Sequence, residues 1–320
     1  MIKRVGVLTS GGDAPGMNAA IRAIVRAGIQ NGLKMYAVFE GYKGLVEDDI
    51  IEVDRSFVSE ILMRGGTILR TARLPEFAEE AVQDIAVANL KKHGIDALVV
   101  IGGDGTFRGA AALAAKGINT IAIPATIDND IASSDYTIGF DTCLNTITEC
   151  VDKLRDTTSS HQRCSIIEVM GNRCGDLATY SGTACGADLI LSPEYLPSEQ
   201  EIIDKLRHIH LTQSRHALII VSEKLLPSLS DFAEHIRQAT GFETRIEILG
   251  RIQRGGSPTA SDRVLAARMG VYAIDALIKN KTSRCVALRG MAIVDYDIEA
   301  ALMMTKSNSR ELVEVISTLK

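Results

Sequence analysis

Short runs of apolar, often β-branched residues alternate along this chain with longer segments whose apolar positions recur every three to four residues. The first pattern predicts buried strands and the second amphipathic helices. Strands are expected at residues 5–9, 35–40, 97–101, 121–123, 165–169, 189–192, 217–222 and 245–249. Helices are expected from the first glycine-rich turn to about Asn31, at 81–93 with Gly94 as a C-terminal cap, at 107–115, after Asp176, and at 199–211, 230–239, 262–279 and 298–303. Strands alternating with helices predict an α/β fold: two similar lobes, each a mainly parallel sheet covered by helices. In such folds ligands collect at the carboxyl ends of strands, so the chemistry is expected in the cleft between the lobes.

The turns after the strands carry the candidate chemistry. Ser10-Gly11-Gly12-Asp13 follows the first strand and Gly102-Gly103-Asp104-Gly105-Thr106 follows the strand at 97–101. Glycines admit a phosphate close to the backbone, and the following helix offers free N–H groups to an anion. Asp104, held between glycines, suits a Mg²⁺–phosphate complex. Neither turn matches GxGxxG or the GK[ST] phosphate loop. After the strand at 121–123 the chain delivers Pro124-Ala125-Thr126-Ile127-Asp128-Asn129-Asp130, whose carboxylates can take a proton from a hydroxyl or hold a cation. Asp and Asn are also ordinary turn formers, so this stretch by itself is equally well a turn. Arg22 and Arg26 stand four apart on one helix face, where like charges repel mildly unless they face an anion. Arg64-Gly65-Gly66-Thr67 and Arg70-Thr71-Ala72-Arg73 again place arginines beside or close to glycines, and Arg251-Ile252-Gln253-Arg254-Gly255-Gly256-Ser257-Pro258 reads as a basic loop.

Charge narrows the picture. The net charge of −5 and a pI near 5.8 argue against non-specific nucleic-acid binding, so any phosphate must meet local arginines. No apolar run approaches the roughly 18 residues that cross a bilayer, and the first residues lack the apolar core of a signal peptide; a cytoplasmic protein is expected. The cysteines at 143, 150, 164, 174, 185 and 285 lack CxxC spacing, which predicts reduced, mostly buried thiols rather than a zinc site.

Segments 10–18, 102–106, 126–130, 155–163, 170–176 and 254–258 together resemble the bacterial ATP-dependent 6-phosphofructokinases, with order and spacing kept to about residue 300. The resemblance implies phosphoryl transfer from Mg-ATP to the 1-hydroxyl of fructose 6-phosphate, giving fructose 1,6-bisphosphate and ADP in glycolysis. It implies an ATP-binding lobe of residues 1–139 plus about 253–303, and a sugar-phosphate-binding lobe of about 140–252 plus 304–320. Asp128 would be the general base, flanked by Thr126 and Asp130. Asp104 would hold Mg²⁺, while Gly11, Gly103, Gly105, Thr106 and Gly109 would line the ATP phosphates and Arg73 would stabilise the transferring group. Met170, Gly171 and Glu223 would contact the sugar ring. Arg163, Arg245, Arg251 and Arg254 would hold the 6-phosphate end, Arg163 and Arg245 coming from a neighbouring subunit of a homotetramer. An effector site for ADP or phosphoenolpyruvate is implied at Arg22, Arg26, Arg55, Arg155 and Asp188, with a thinner basic cluster at Arg215 and His216. The small residues Gly105 and Ala125 stand where the pyrophosphate-using branch carries Asp and Lys, which favours ATP as donor.

Three positions depart from the family pattern: Arg251 replaces a histidine, Asn172 an arginine and Ala125 a glycine. They leave a non-catalytic or altered-specificity paralogue as the alternative. NAD kinases and diacylglycerol kinases share the Gly-Gly-Asp-Gly-Thr turn but do not account for 126–130 or the loop at 251–258.

Overall fold

The structure, a computed structural model, describes residues 2–211 and 216–306, together with 312, 314, 315 and 318. In chain order the elements are β1 (Arg4–Ser10), α1 (Met17–Gln30), β2 (Lys34–Val38), α2 (Tyr42–Glu47), β3 (Ile50–Val53), α3 (Glu80–Lys92), β4 (Ala97–Gly102), α4 (Asp104–Ala115) and β5 (Asn119–Pro124). Then come α5 (Phe140–His161), β6 (Cys164–Val169), α6 (Asp176–Ala184), β7 (Leu189–Leu191), α7 (Glu199–Leu211), β8 (Ala217–Ser222), α8 (Leu229–Thr240) and β9 (Thr244–Ile248). The chain continues through α9 (Ala260–Ile278), β10 (Arg284–Arg289), β11 (Ala292–Asp297) and α10 (Ile298–Leu302). The elements fall into two compact units.

The first unit holds Met1–Ile127, Ile131–Thr142 and Arg254–Lys306. Its seven strands run in the order β11-β10-β5-β4-β1-β2-β3. The pairs β1–β2, β1–β4, β4–β5 and β5–β10 are parallel, whereas β3 and β11 close the two edges antiparallel. The central strands are buried except at the first residues of β1 and β5, as a parallel sheet covered on both faces requires. Helices α1 and α9 pack together on one face, and Gly270 lets them approach: a Cβ there would lie 2.8 Å from the Ala23 Cβ. The strand order reverses at β1 and β4, whose ends Ser10 and Gly102 are paired in register. That reversal creates the crevice in which open α/β sheets bind ligands.

The second unit holds Asp128–Asp130 and Cys143–Gln253. Its sheet is parallel, in the order β7-β8-β6-β9, and Val169 at the end of β6 is level with Ser222 at the end of β8. A core of Ile166, Leu191, Leu206, Ile219, Val221 and Phe242 lies beneath it.

Several features differ from the sequence reading, α2 and β3 among them. Helix α5 was not expected, because its run of Thr and Ser is a poor helix former; burial of Phe140, Cys143, Ile147 and Val151 at three- and four-residue spacing decides it. The β10–β11 hairpin was also missed: its turn at Gly290, φ 55°, lacks the Asn-Gly or Asp-Gly signal of short hairpins. Gly250–Arg254, read as loop, forms a 3-10 turn. Among the described residues all six cysteines are free thiols, five of them buried.

Candidate active site

In the first unit, register alone gathers the glycine-rich turns. Thr106 at the start of α4 sends its hydroxyl to the Ser10 carbonyl at 3.0 Å, tying the β4 turn to the β1 turn. Gly102 must be glycine for this, since a Cβ would meet Thr106 Oγ1 at 2.3 Å and the Ser10 carbonyl at 2.4 Å. Around Gly105, by contrast, a Cβ would meet nothing within 4 Å, and at Gly103 only Thr126 Cβ at 3.9 Å. The backbone between them is therefore open to a ligand's close approach, at the N-terminus of a twelve-residue helix. Gly11, at φ 86°, faces Thr106 Oγ1, and Gly109 lies under the ring of Tyr42, whose hydroxyl donates to the Thr106 carbonyl at 2.6 Å. Tyr42 stacks on Phe77 with centroids 4.2 Å apart. The sequence reading missed this buried aromatic pair because an isolated Tyr on a six-residue helix carries no pattern.

Asp104 is exposed and paired with Arg108 at 2.8 Å, four residues on along α4. Among the described residues no group of three or more His, Cys, Asp or Glu could hold a metal by itself. One accessible carboxylate between open glycines is nonetheless the donor set that Mg²⁺ takes when substrate phosphates supply the rest. Asp104 fits that ion.

The segment bearing Arg73 is held from β1 and α1. Thr9 Oγ1 meets Thr67 Oγ1 at 2.9 Å and donates to the Arg70 carbonyl at 2.8 Å, while Thr71 donates to the Gly11 carbonyl at 2.7 Å. Asn18, buried on α1, donates to the Arg64 carbonyl and accepts from the Ile68 N–H at 2.7 Å. Arg73 itself is exposed. Arg254 lies against Gly12, where a Cβ would meet its guanidinium at 2.2 Å, and reaches the Asp13 carbonyl at 3.5 Å.

Thr126 closes this unit's group. Ala125 bonds back to the Gly102 carbonyl at 3.0 Å and forms an isolated bridge with Ile138, and the Thr126 carbonyl accepts from Thr137 Oγ1 at 2.6 Å.

In the second unit Asp128 is 9% exposed and Asp130 half-buried, on either side of the buried Asn129. Asn129 donates to Asp176 Oδ2 at 2.8 Å, and Cys174 Sγ lies 3.9 Å from its carbonyl. Gly171, at φ 137°, and Asn172, at φ 57°, turn the chain after β6, and Glu223 accepts from the Asn172 N–H at 2.9 Å. Met170 donates its N–H to Gln253 Oε1 at 3.0 Å. Gln253 is fully buried, and only the tertiary structure reveals its part. Burial and the nearby Glu223 raise the Glu168 carboxyl above its ordinary value.

Arg163 and Arg245, distant in sequence, are brought together by the parallel pairing of β6 and β9. Both grip Glu243, at 2.9 and 2.5 Å, and the hydrogen bond from Arg163 is the main cause of that carboxyl's lowered pKa. Arg251 is exposed on the 3-10 turn.

The residues expected at an effector site are divided between the two units, Arg22, Arg26 and Arg55 in the first and Arg155 and Asp188 in the second. Arg22 and Arg26 are half-buried on α1 and Arg55 is exposed after β3. Arg155 donates to the Cys185 carbonyl, and Asp188 accepts from the Leu218 N–H at 2.8 Å. His216 is half-buried before β8, and Arg215 lies outside the described residues.

Comparison with known proteins matches residues 4–277 to the family model described as Phosphofructokinase. An ATP-dependent 6-phosphofructokinase of Photobacterium profundum is 48% identical over 320 residues, covering 100% of both chains. One from Clostridium botulinum is 49% identical over 318 residues, covering 99% of each. The phosphofructokinase of Pichia pastoris, solved in the T-state, superposes with a TM-score of 0.90 at 34% identity over 99% of this chain and 39% of that longer one. A family match over residues 4–277 and about half of all residues shared with relatives over their full length place the chain in the phosphofructokinase family.

Proposed function

We propose that this chain transfers the γ-phosphoryl group of ATP to the 1-hydroxyl of fructose 6-phosphate, giving fructose 1,6-bisphosphate and ADP, a step of glycolysis. The observation that carries this reading is that full-length relatives of that activity share about half of its residues.

The residues divide the work. The first unit, with the turns at Gly11 and Gly103–Thr106, takes the nucleotide's phosphates through backbone N–H groups and the N-terminal end of α4. Asp104 would hold Mg²⁺, which when bound neutralises phosphate charge. Binding there requires Asp104 to exchange its Arg108 partner for the ion. Arg73 supplies positive charge to the transferring group. The second unit, with Met170, Gly171 and Glu223, takes the sugar, and the arginines at 163, 245, 251 and 254 take its 6-phosphate. Asp128 accepts the proton of the 1-hydroxyl as that oxygen attacks the γ-phosphorus; the bond to the bridging oxygen breaks and ADP leaves. The open space at Gly105 leaves room for the nucleotide beyond its phosphates.

Arg163 and Arg245 serve a neighbouring subunit of a homotetramer in this reading, and Arg22, Arg26, Arg55, Arg155 and Asp188 bind ADP or phosphoenolpyruvate as effector. Action in the cytoplasm is part of the proposal; among the described residues no helix is long and apolar enough to cross a membrane.

The test follows ADP release from Mg-ATP with fructose 6-phosphate, with tagatose 6-phosphate and pyrophosphate as alternative acceptor and donor. ATP-specific turnover on fructose 6-phosphate is expected. Tight binding of both ligands without turnover would sink the proposal and favour the sensing paralogue that Arg251, Asn172 and Ala125 leave open.

A further inference from the structure

Asn129 stands between the two carboxylates assigned to phosphoryl transfer, 1% exposed and at φ 51°. Left-handed backbone is uncommon for a residue with a side chain, and Asn tolerates it best when its amide finds a local or tertiary partner. Here the partner is Asp176, the first residue of α6, 47 positions along the chain and 5% exposed. A buried carboxylate accepting from a buried amide makes a charge-assisted bond in a medium of low polarity, where such bonds are strong. The Asn129 amide N–H donates and the Asp176 oxygen accepts, so the bond fixes which way the amide points. The residue type also matters: an Asp at 129 would set a third carboxylate between Asp128 and Asp130 and face Asp176 with a like charge.

We propose that Asp176 is a positioning residue for the reaction, acting through Asn129: their hydrogen bond locks the left-handed turn that sets the directions of the Asp128 and Asp130 side chains. A rotation at Asn129 swings one carboxylate relative to the other, and phosphoryl transfer depends on placement more than on covalent help. Asp176, 5% exposed at the start of α6, is given no contact with substrate in this proposal. This inference rests on the reading of Asp128 as the base.

The test uses the full chain with Mg-ATP and fructose 6-phosphate, measuring kcat, KM for each substrate, the pH profile of kcat and the melting temperature. Asp176→Ala is expected to lower kcat by about tenfold to a hundredfold, the scale of a misplacement near 1 Å, with both KM values unchanged. Asp176→Asn keeps an acceptor oxygen and recovers most of the rate. Asn129→Gly keeps the turn's backbone freedom, loses the amide, and falls as Asp176→Ala does. The double variant is no slower than either single one, because both break one bond. The acid limb of kcat moves in these variants, since the surroundings of Asp128 change. Wild-type kcat in folded Asp176→Ala, or multiplicative losses in the double variant, would overturn the proposal. So would a loss of activity that only follows the unfolded fraction with an unmoved pH profile. If Asp176→Ala does not fold, Asn129→Gly decides, and full kcat there overturns the idea. Asp128→Ser runs alongside: retained turnover in it would mean that the base is misassigned, whereas its loss with full kcat in Asp176→Ala rejects only the positioning role.

Discussion

Thr142 and Asp262 are joined twice, the backbone N–H and the hydroxyl of Thr142 both donating to Asp262 Oδ2, at 2.8 and 2.5 Å. Asp262 Oδ1 accepts from the Gly139 N–H at 2.8 Å, and Thr259, which caps α9, accepts from the Asp262 N–H and donates to Asp141. The first residues of α5 and α9 are thus locked to each other beneath the turn at 137–139, whose Thr137 and Ile138 hold the segment ending in Thr126. Burial pushes the Asp262 carboxyl up, its hydrogen bonds only partly offsetting this.

Asp262→Ala should therefore remove the acceptor that the Gly139 and Thr142 N–H groups and the Thr142 hydroxyl share. A loss of at least about 2 kcal/mol is expected, on the scale of one to three for each buried group left unsatisfied. Denaturant unfolding measures it, and a variant as stable as the parent would mean that the lock contributes nothing.

Asp128→Ser should cut turnover by orders of magnitude while KM for fructose 6-phosphate stays near the parent's, because the proposed base is removed and the arginines proposed for the sugar phosphate remain. Steady-state kinetics with both substrates varied check this. Turnover within a few-fold of the parent would reassign the base.

Gly105→Asp should fold as the parent does, because a Cβ there meets nothing within 4 Å and the backbone is not in the left-handed region. It should nonetheless weaken ATP use sharply, since a carboxylate would enter the space proposed for the nucleotide phosphates. An unchanged KM for ATP and unchanged kcat would place the nucleotide elsewhere.

Acid stability has a named contributor in Asp295, whose side chain is only 3% exposed. Burial pushes its carboxyl up, but hydrogen bonds from Lys281, Tyr272 and Arg284 outweigh that and bring it down to about 2. A depressed folded-state value gives stability that is full above the unfolded carboxyl's pKa and lost as pH falls through the folded one. The window is thus roughly pH 4 to 2, and the contribution above it is about 2 kcal/mol. In urea titrations across this range Asp295→Asn should be less stable than the parent above pH 4, with the gap narrowing towards pH 2. Parallel curves would remove Asp295 from the account.

The central strands and the turns that follow them were legible from sequence because each is a local pattern. A buried parallel strand is a run such as Ala97–Gly102, and a phosphate-facing turn needs glycines where the backbone must come close. The charged groups at those turns, Asp104, Asp128 and Arg254 among them, could be named on the same ground. Local pattern failed where propensity and packing disagreed, as in α5, and at the antiparallel edges β3 and β11.

The sequence by itself determined most of the strands and helices and which residue types stand at the strand ends, because backbone sterics and hydrophobic period act over a few residues. The tertiary structure alone decided the partners: Asn18 for the 64–68 turn, Glu243 for both Arg163 and Arg245, and Asp176 for Asn129. No periodicity encodes a bond between residues 47 positions apart, and such pairs form only when sheet register and helix packing bring their buried polar groups within reach of each other.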